Sequence, residues 1–131
     1  MAEPAPPNGK RVLIVEDEPD IAGFLSSLVG EKTPHVMQAG DGVEGLAVAR
    51  RELPDLIIMD MKMPQMNGLE VVQALQEDPK TASIPVLILT NTHFDAQTRH
   101  MCEQIPSVKA FLSKSGGAKR LREQLEPFLG A

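Results

Sequence analysis

The chain has a single cysteine, Cys102, which excludes an internal disulfide and a cysteine zinc cluster and makes a reducing, cytoplasmic setting the expectation. Tryptophan and tyrosine are absent, so the usual stacking partners of a flavin are missing, and no Gly-x-Gly-x-x-Gly loop offers a phosphate cradle. Positive charge is short as well: 13 basic against 18 acidic residues leave a net charge of -5. That balance repels phosphate backbones and anionic lipid, and direct nucleic-acid binding is not expected. No apolar run approaches the roughly 20 residues that cross a bilayer, and no internal repeat is present. Residues 1–10 are rich in proline and alanine without the apolar centre of a signal peptide, and read as a short disordered lead-in. Residues 11–131 are expected to form one domain, since a chain of 131 residues that is 42% hydrophobic can bury a substantial core.

What the chain does have is a set of short apolar runs that all end in polar side chains. Val12-Leu13-Ile14-Val15 runs into Glu16-Asp17-Glu18, Leu56-Ile57-Ile58-Met59 into Asp60, Val86-Leu87-Ile88-Leu89 into Thr90, and Ala110-Phe111-Leu112-Ser113 into Lys114. Continuous apolarity over so few residues suits strands covered on both faces. Helical spacing fills the intervals. Pro19 suits the first turn of a helix carrying Ile21, Phe24, Leu25 and Leu28 as far as Gly30. A weaker strand, His35 to Ala39, precedes Asp41-Gly42 and a helix through Val43, Leu46, Ala47, Ala49 and Arg50, which Pro54 must end. A third helix runs from Gly68 through Leu69, Val72 and Leu75 to Gln76. Ile84-Pro85-Val86 opens the fourth strand, and Val108 to Ser113 is the fifth, followed by a helix with Leu121, Leu125 and Phe128. Asn91 to Gln104 is polar and weakly periodic, the least defined of the helices.

Strands alternating with helices imply an α/β fold with parallel strands, right-handed crossovers and helices on both faces. The strand containing His35 and Gln38 belongs at an edge, which favours a doubly wound five-stranded sheet of flavodoxin-like order 2-1-3-4-5 over a barrel. In such a sheet every strand ends at one rim, where ligands bind. Acids, a hydroxyl and a lysine are therefore expected to converge there.

These residues resemble the receiver domain of two-component response regulators, over Arg11 to Leu129. The resemblance rests on Val15-Glu16-Asp17-Glu18, on Asp-x-x-Met-Pro-x-Met-x-Gly from Asp60 to Gly68, on Thr90 thirty residues after Asp60, and on Lys114 with Phe111 three before it. It implies that Asp60 is a phosphoacceptor, a carboxylate nucleophile forming an aspartyl phosphate. It implies a Mg²⁺ held by Asp17 and Asp60 directly, by Glu16 through water and by the backbone carbonyl of Lys62. Lys114 would pair with phosphoryl oxygens, the Thr90 hydroxyl would bond another, and Thr90 and Phe111 would act as the switch pair. The implied donor is a sensor histidine kinase or a histidine phosphotransfer protein. The implied output is a separate partner protein met through the last-helix face, by a monomer or weak dimer. Receivers are not enzymes in their own right, and none of this calls for a membrane.

Each residue taken singly has a plainer reading. Asp17-Glu18-Pro19 suits an acidic helix start, Asp60 a loop after a strand, Thr90 a strand end, and Lys114 a solvated lysine. Together those readings need four unrelated coincidences at one sheet edge. The methionines at 59, 61, 63 and 66 suit packing better than a sulfur site, and His35, His93 and His100 lack ligand spacing with Cys102. Lys119, Arg120 and Arg122 suit a solvated helix face. A phosphatase with an aspartyl nucleophile would need a second acid two residues on, where Lys62 stands.

Four departures from the family pattern carry expectations. Ser115 replaces the proline that usually follows the lysine, and a cis bond there would cost roughly 3 kcal/mol, so a trans bond or local strain is expected. Asn91 is larger than the small residue usual after the threonine, and would restrict or hydrogen-bond the phosphate. The interval of 24 residues from Thr90 to Lys114 is slightly long and points to an altered loop or fourth helix. Lys62 places a cation near the acceptor and is expected to change the lifetime of the acyl phosphate. The alternative function is a phosphorylation-independent interaction module on the same fold.

Overall fold

A computed structural model describes residues 10–63, 65–90 and 95–129; the lead-in up to residue 9, Pro64, Asn91 and His93 lie outside the described residues. Five strands, β1 (Val12–Val15), β2 (Val36–Ala39), β3 (Leu56–Asp60), β4 (Val86–Thr90) and β5 (Val108–Ser113), form one parallel sheet in the order β2-β1-β3-β4-β5. The helices are α1 (Pro19–Gly30), α2 (Gly42–Glu52), α3 (Gly68–Glu77), α4 (Ala96–Glu103) and α5 (Gly117–Leu129). This is the expected doubly wound order.

Burial follows strand position. Every residue of β1 and β3 is buried, as is β4 up to Leu89, whereas β2 and β5 at the two edges are mostly half-buried. The alternation of side chains along the strands divides the core into two layers. Val12, Ile14, Leu56, Ile58, Leu87 and Leu89 pack with Leu25, Leu28 and Val29 of α1 and Leu121, Leu125 and Leu129 of α5. Leu13, Val15, Ile57, Met59, Val86 and Ile88 pack with α2, α3 and Cys102 of α4. Met59 and Met61 are buried and Met63 and Met66 lean on the same layer, so the methionines serve packing.

Two helix faces differ from the periodicity reading. Phe24 and Val43 are 42% and 52% exposed, and the buried positions are Ala22, Leu25, Leu28 and Val29 on α1 and Gly42, Gly45, Val48 and Ala49 on α2. The cause on α2 is close approach: a Cβ on Gly45 would meet the Val15 side chain at 2.7 Å, and one on Gly42 would collide with the Met66 carbonyl. Following the large apolar residues misses a face built from glycine.

The caps are local and legible. Asp41 accepts from the Glu44 N–H at the start of α2, and Asn67 with Glu70 closes a capping box on α3. Leu53 takes a left-handed cap after α2, just before Pro54. Gly68, at the first position of α3, lies so near the end of β3 that a Cβ would sit 2.9 Å from the Asp60 carbonyl oxygen and 3.1 Å from Met61 Cα. The contact is with backbone and cannot relax cheaply. Gly68→Ala is expected to lower stability by about 1–3 kcal/mol. Gly23→Ala, on α1 with nothing within 4 Å of the added carbon, is expected to raise it by about 0.5–1 kcal/mol. Urea unfolding of the two variants beside the parent protein checks both signs.

Candidate phosphoacceptor site

The register of β1 against β3 builds the centre of the site. Val15 lies opposite Met59, so the chain continues into Glu16 on one strand and Asp60 on its neighbour, side by side at the carboxyl rim. The Glu16 N–H still bonds the Ala39 carbonyl of β2 at 3.0 Å, which fixes its backbone before the chain turns into α1. Glu16 is 2% and Asp60 6% exposed, an unusual burial for carboxylates, while Asp17 is exposed. One carboxylate oxygen from each of the three lies within 4.8 Å of the others.

Lys114 reaches this cluster from β5. Its ammonium lies 3.0 Å from Asp60 Oδ2 and 3.2 Å from Glu16 Oε1. Its own N–H donates to the Thr90 carbonyl at 2.9 Å, tying the start of the loop to the end of β4. No described peptide bond is cis, so Ser115 after the lysine leaves a trans bond and an ammonium aimed at the acids.

The other two sequence-derived residues, Thr90 and Phe111, stand on β4 and β5 in the alternate phase of the strands. Glu16 and Asp60 continue the phase of the α1/α5 layer, whereas Thr90 continues the phase of Val86 and Ile88, on the layer that Phe111 also packs against. The Thr90 hydroxyl donates to the Leu112 carbonyl at 3.3 Å. Phe111 is half-buried, with the Arg99 guanidinium 4.6 Å from its ring centroid, and Arg99 also lies 3.8 Å from Glu103 one turn on. Lys62 is exposed. Reading the sequence missed Arg99, which shows itself only as half of an i,i+4 acid-base pair on a weakly periodic helix.

The electrostatics are unbalanced. Burial, reinforced by the Asp60 carboxylate, pushes the Glu16 carboxyl up to about 7, with Lys114 pulling the other way. Burial disfavours the Lys114 charge, yet its hydrogen bond with Asp60 and its attraction to Asp60 and Glu16 outweigh this and hold the ammonium above its ordinary range. Glu16 Oε2 is buried with no hydrogen-bond partner. A buried acceptor left over beside two further carboxylates is the donor set a hard divalent cation such as Mg²⁺ takes, through a few oxygens with waters completing the shell. Glu16, Asp17 and Asp60 fit such an ion. A cavity of about 290 Å³, lined by Glu16, Asp17, Pro19, Gln38 and Glu44 among others, opens beside the acids toward β2 and gives them an approach from solvent.

Comparison with known proteins agrees with this geometry. The response regulator receiver domain family matches residues 12–126. Protein PilH of Pseudomonas aeruginosa is 34% identical over 104 residues, 79% of this chain and 84% of its own. The polar-differentiation response regulator DivK of Brucella anthropi is 30% identical over 121 residues, 92% of this chain and 97% of its own. The crystal structure of the chemotaxis response regulator CheY4 of Vibrio cholerae superposes with a TM-score of 0.77 at 29% identity, over 87% of this chain and 93% of that one. The chain belongs to the response regulator receiver family, whose members are two-component signalling modules and not enzymes in the usual sense. None of the described helices is long and apolar enough to cross a membrane.

The raised Glu16 carboxyl has a pH signature. Because the folded value lies above the ordinary 4.5, the folded protein holds this proton more tightly than the unfolded chain. The resulting stabilisation is complete below 4.5 and is lost as pH rises through about 7. Metal-free protein is therefore expected to lose stability between those values, and Glu16→Gln to flatten that slope. Urea unfolding in chelator across the range checks it; an equal slope in both proteins would place the proton elsewhere.

Proposed function

We propose that the protein accepts a phosphoryl group on Asp60 from a phosphohistidine of a sensor kinase or phosphotransfer protein, and that the modification changes which partner protein it binds. The observation that carries this reading is the position of Asp60: a nearly buried carboxylate at the end of a central strand, 3.0 Å from an ammonium and grouped with two further acids. Asp60 attacks phosphorus with a carboxylate oxygen, the phosphorus–nitrogen bond to the donor imidazole breaks, and the imidazole leaves with the electron pair. Water later cleaves the acyl phosphate and restores the carboxylate.

Glu16, Asp17 and Asp60, with the Lys62 carbonyl, are the residues that would hold Mg²⁺. The ion, when bound, supplies the positive charge that lets an anionic phosphoryl group approach three acids. Lys114 exchanges its pairing with Asp60 for phosphoryl oxygens, and its half-buried amine keeps that charge close to the transferring group. The exposed Lys62 ammonium stands near enough in sequence to bear on how long the acyl phosphate lasts.

Switching runs through Thr90 and Phe111. A phosphoryl oxygen offers the Thr90 hydroxyl a stronger acceptor than the Leu112 carbonyl, and the space Thr90 vacates admits the Phe111 ring. Inward rotation gives up the stacking on Arg99, a contact worth roughly 0.5–1 kcal/mol at an exposed site, and so loosens α4 from β5. Phosphorylation biases a two-state face made of α4, β5 and α5. The rival reading, a receiver fold that binds partners without phosphoryl transfer, predicts none of these changes.

Incubation with radiolabelled acetyl phosphate and Mg²⁺ is expected to label the protein in a hydroxylamine-sensitive form, and chelator or Asp60→Asn to abolish the label. Label on Asp60→Asn would move the acceptor, and an unlabelled parent protein would favour the phosphorylation-independent module.

A further inference from the structure

The segment that carries Lys114 has a second feature. Ser113 Oγ and Ser115 Oγ lie 2.7 Å apart, and the Ser115 N–H donates to Ser113 Oγ at 3.2 Å. The backbone N–H and the hydroxyl of Ser115 therefore both close onto the side chain of Ser113, across the one residue between them. The closure is a local side-chain-to-backbone turn of the kind serine makes, reinforced by a hydroxyl pair.

Its surroundings give it a task. Lys114 must present a long stem with about 2 kcal/mol of rotamer entropy to two acids on neighbouring strands. On the amino side its backbone is held by β5 and by the Thr90 carbonyl. On the carboxyl side the chain passes through Gly116 and Gly117, with φ of 102° and 80°, positions where backbone freedom is greatest. The peptide after the lysine is trans and has no ring to stiffen it. Among the described residues, Ser113 and Ser115 provide a side-chain tie across the lysine, just before those glycines.

We infer that Ser113 and Ser115 are positioning residues: their hydroxyl clip, bridging Lys114, fixes the direction in which the lysine leaves the backbone and so delivers its ammonium to Asp60. Neither serine touches the reacting atoms. The clip acts through the lysine, and its consequence for phosphoryl transfer rests on the phosphoacceptor reading above. A turn that merely finishes β5 would leave the lysine as ordered without the clip as with it.

The test compares the parent protein with Ser113→Ala, Ser115→Ala and the hydroxyl-retaining Ser113→Thr. In metal-free protein, NMR relaxation of the Lys114 Cε methylene reports the order of the side chain without any phosphoryl chemistry. Both alanine variants are expected to lose that order and the threonine variant to keep it. At saturating Mg²⁺ the rate constant for labelling by acetyl phosphate should fall about two- to tenfold in the alanine variants, the size expected of one net hydrogen bond. It should recover in Ser113→Thr, while Mg²⁺ affinity and the unfolding midpoint stay near those of the parent. Unchanged Lys114 order in both alanine variants overturns the inference, whatever the labelling rates. A parent protein that takes no label while the alanine variants lose lysine order would sink the phosphoacceptor reading and leave the clip standing.

Discussion

The repulsion among Glu16, Asp17 and Asp60 is the constraint on which the rest of the structure turns. Two unit charges about 4 Å apart near a protein surface interact by roughly 4 kcal/mol, and three carboxylates meet one ammonium here. The lysine offsets part of that repulsion, and burial together with the Asp60 carboxylate raises the Glu16 carboxyl to about 7, so that its charge is given up below that pH. Neither arrangement leaves the site at rest. A cation and a phosphoryl group together can replace both, and a site held in unresolved tension is one that responds to a ligand.

The sheet holds the acids at this distance because its geometry allows no alternative. Glu16 and Asp60 follow buried, mutually registered residues on adjacent central strands, and a slip by one residue would exchange the side chains of the two core layers and carry each acid to the other face. The close seat of Gly68 against the Asp60 backbone turns the chain away from the rim at once. Strand parity meanwhile sets Phe111 on the other layer, while Thr90 ends β4 at the rim. The Phe111 ring thus lies in the layer away from α1 and α5, linked to the rim through β4 and β5, with Arg99 over the ring as a contact between β5 and α4.

Much of this was legible in the sequence, for identifiable reasons. Apolar runs such as Leu56 to Met59 are long enough to name a strand and too short for anything else, and the polar residue closing each run marks the rim. The strand order followed from the contrast between those runs and the mixed His35 to Ala39 segment. Helix faces were less legible: Phe24 and Val43 lie exposed because α1 and α2 seat small residues, Ala22, Gly42 and Gly45, against the sheet, and a pattern of large side chains cannot register a face made of glycine. The hydroxyl clip at Ser113 and Ser115 and the stacking of Arg99 on Phe111 depend on rotamers and inter-element distances, which leave no periodic trace.

The central claim is that the acids at the rim form one cation site completed by Asp60. Calorimetric titration of the metal-free protein with Mg²⁺ at pH values on either side of about 7 tests it most directly. The account predicts saturable binding to a single site that strengthens as pH rises, with protons released where Glu16 is protonated, and that weakens sharply in Asp60→Asn. Absence of binding, or equal binding by Asp60→Asn with no dependence on pH, would contradict it.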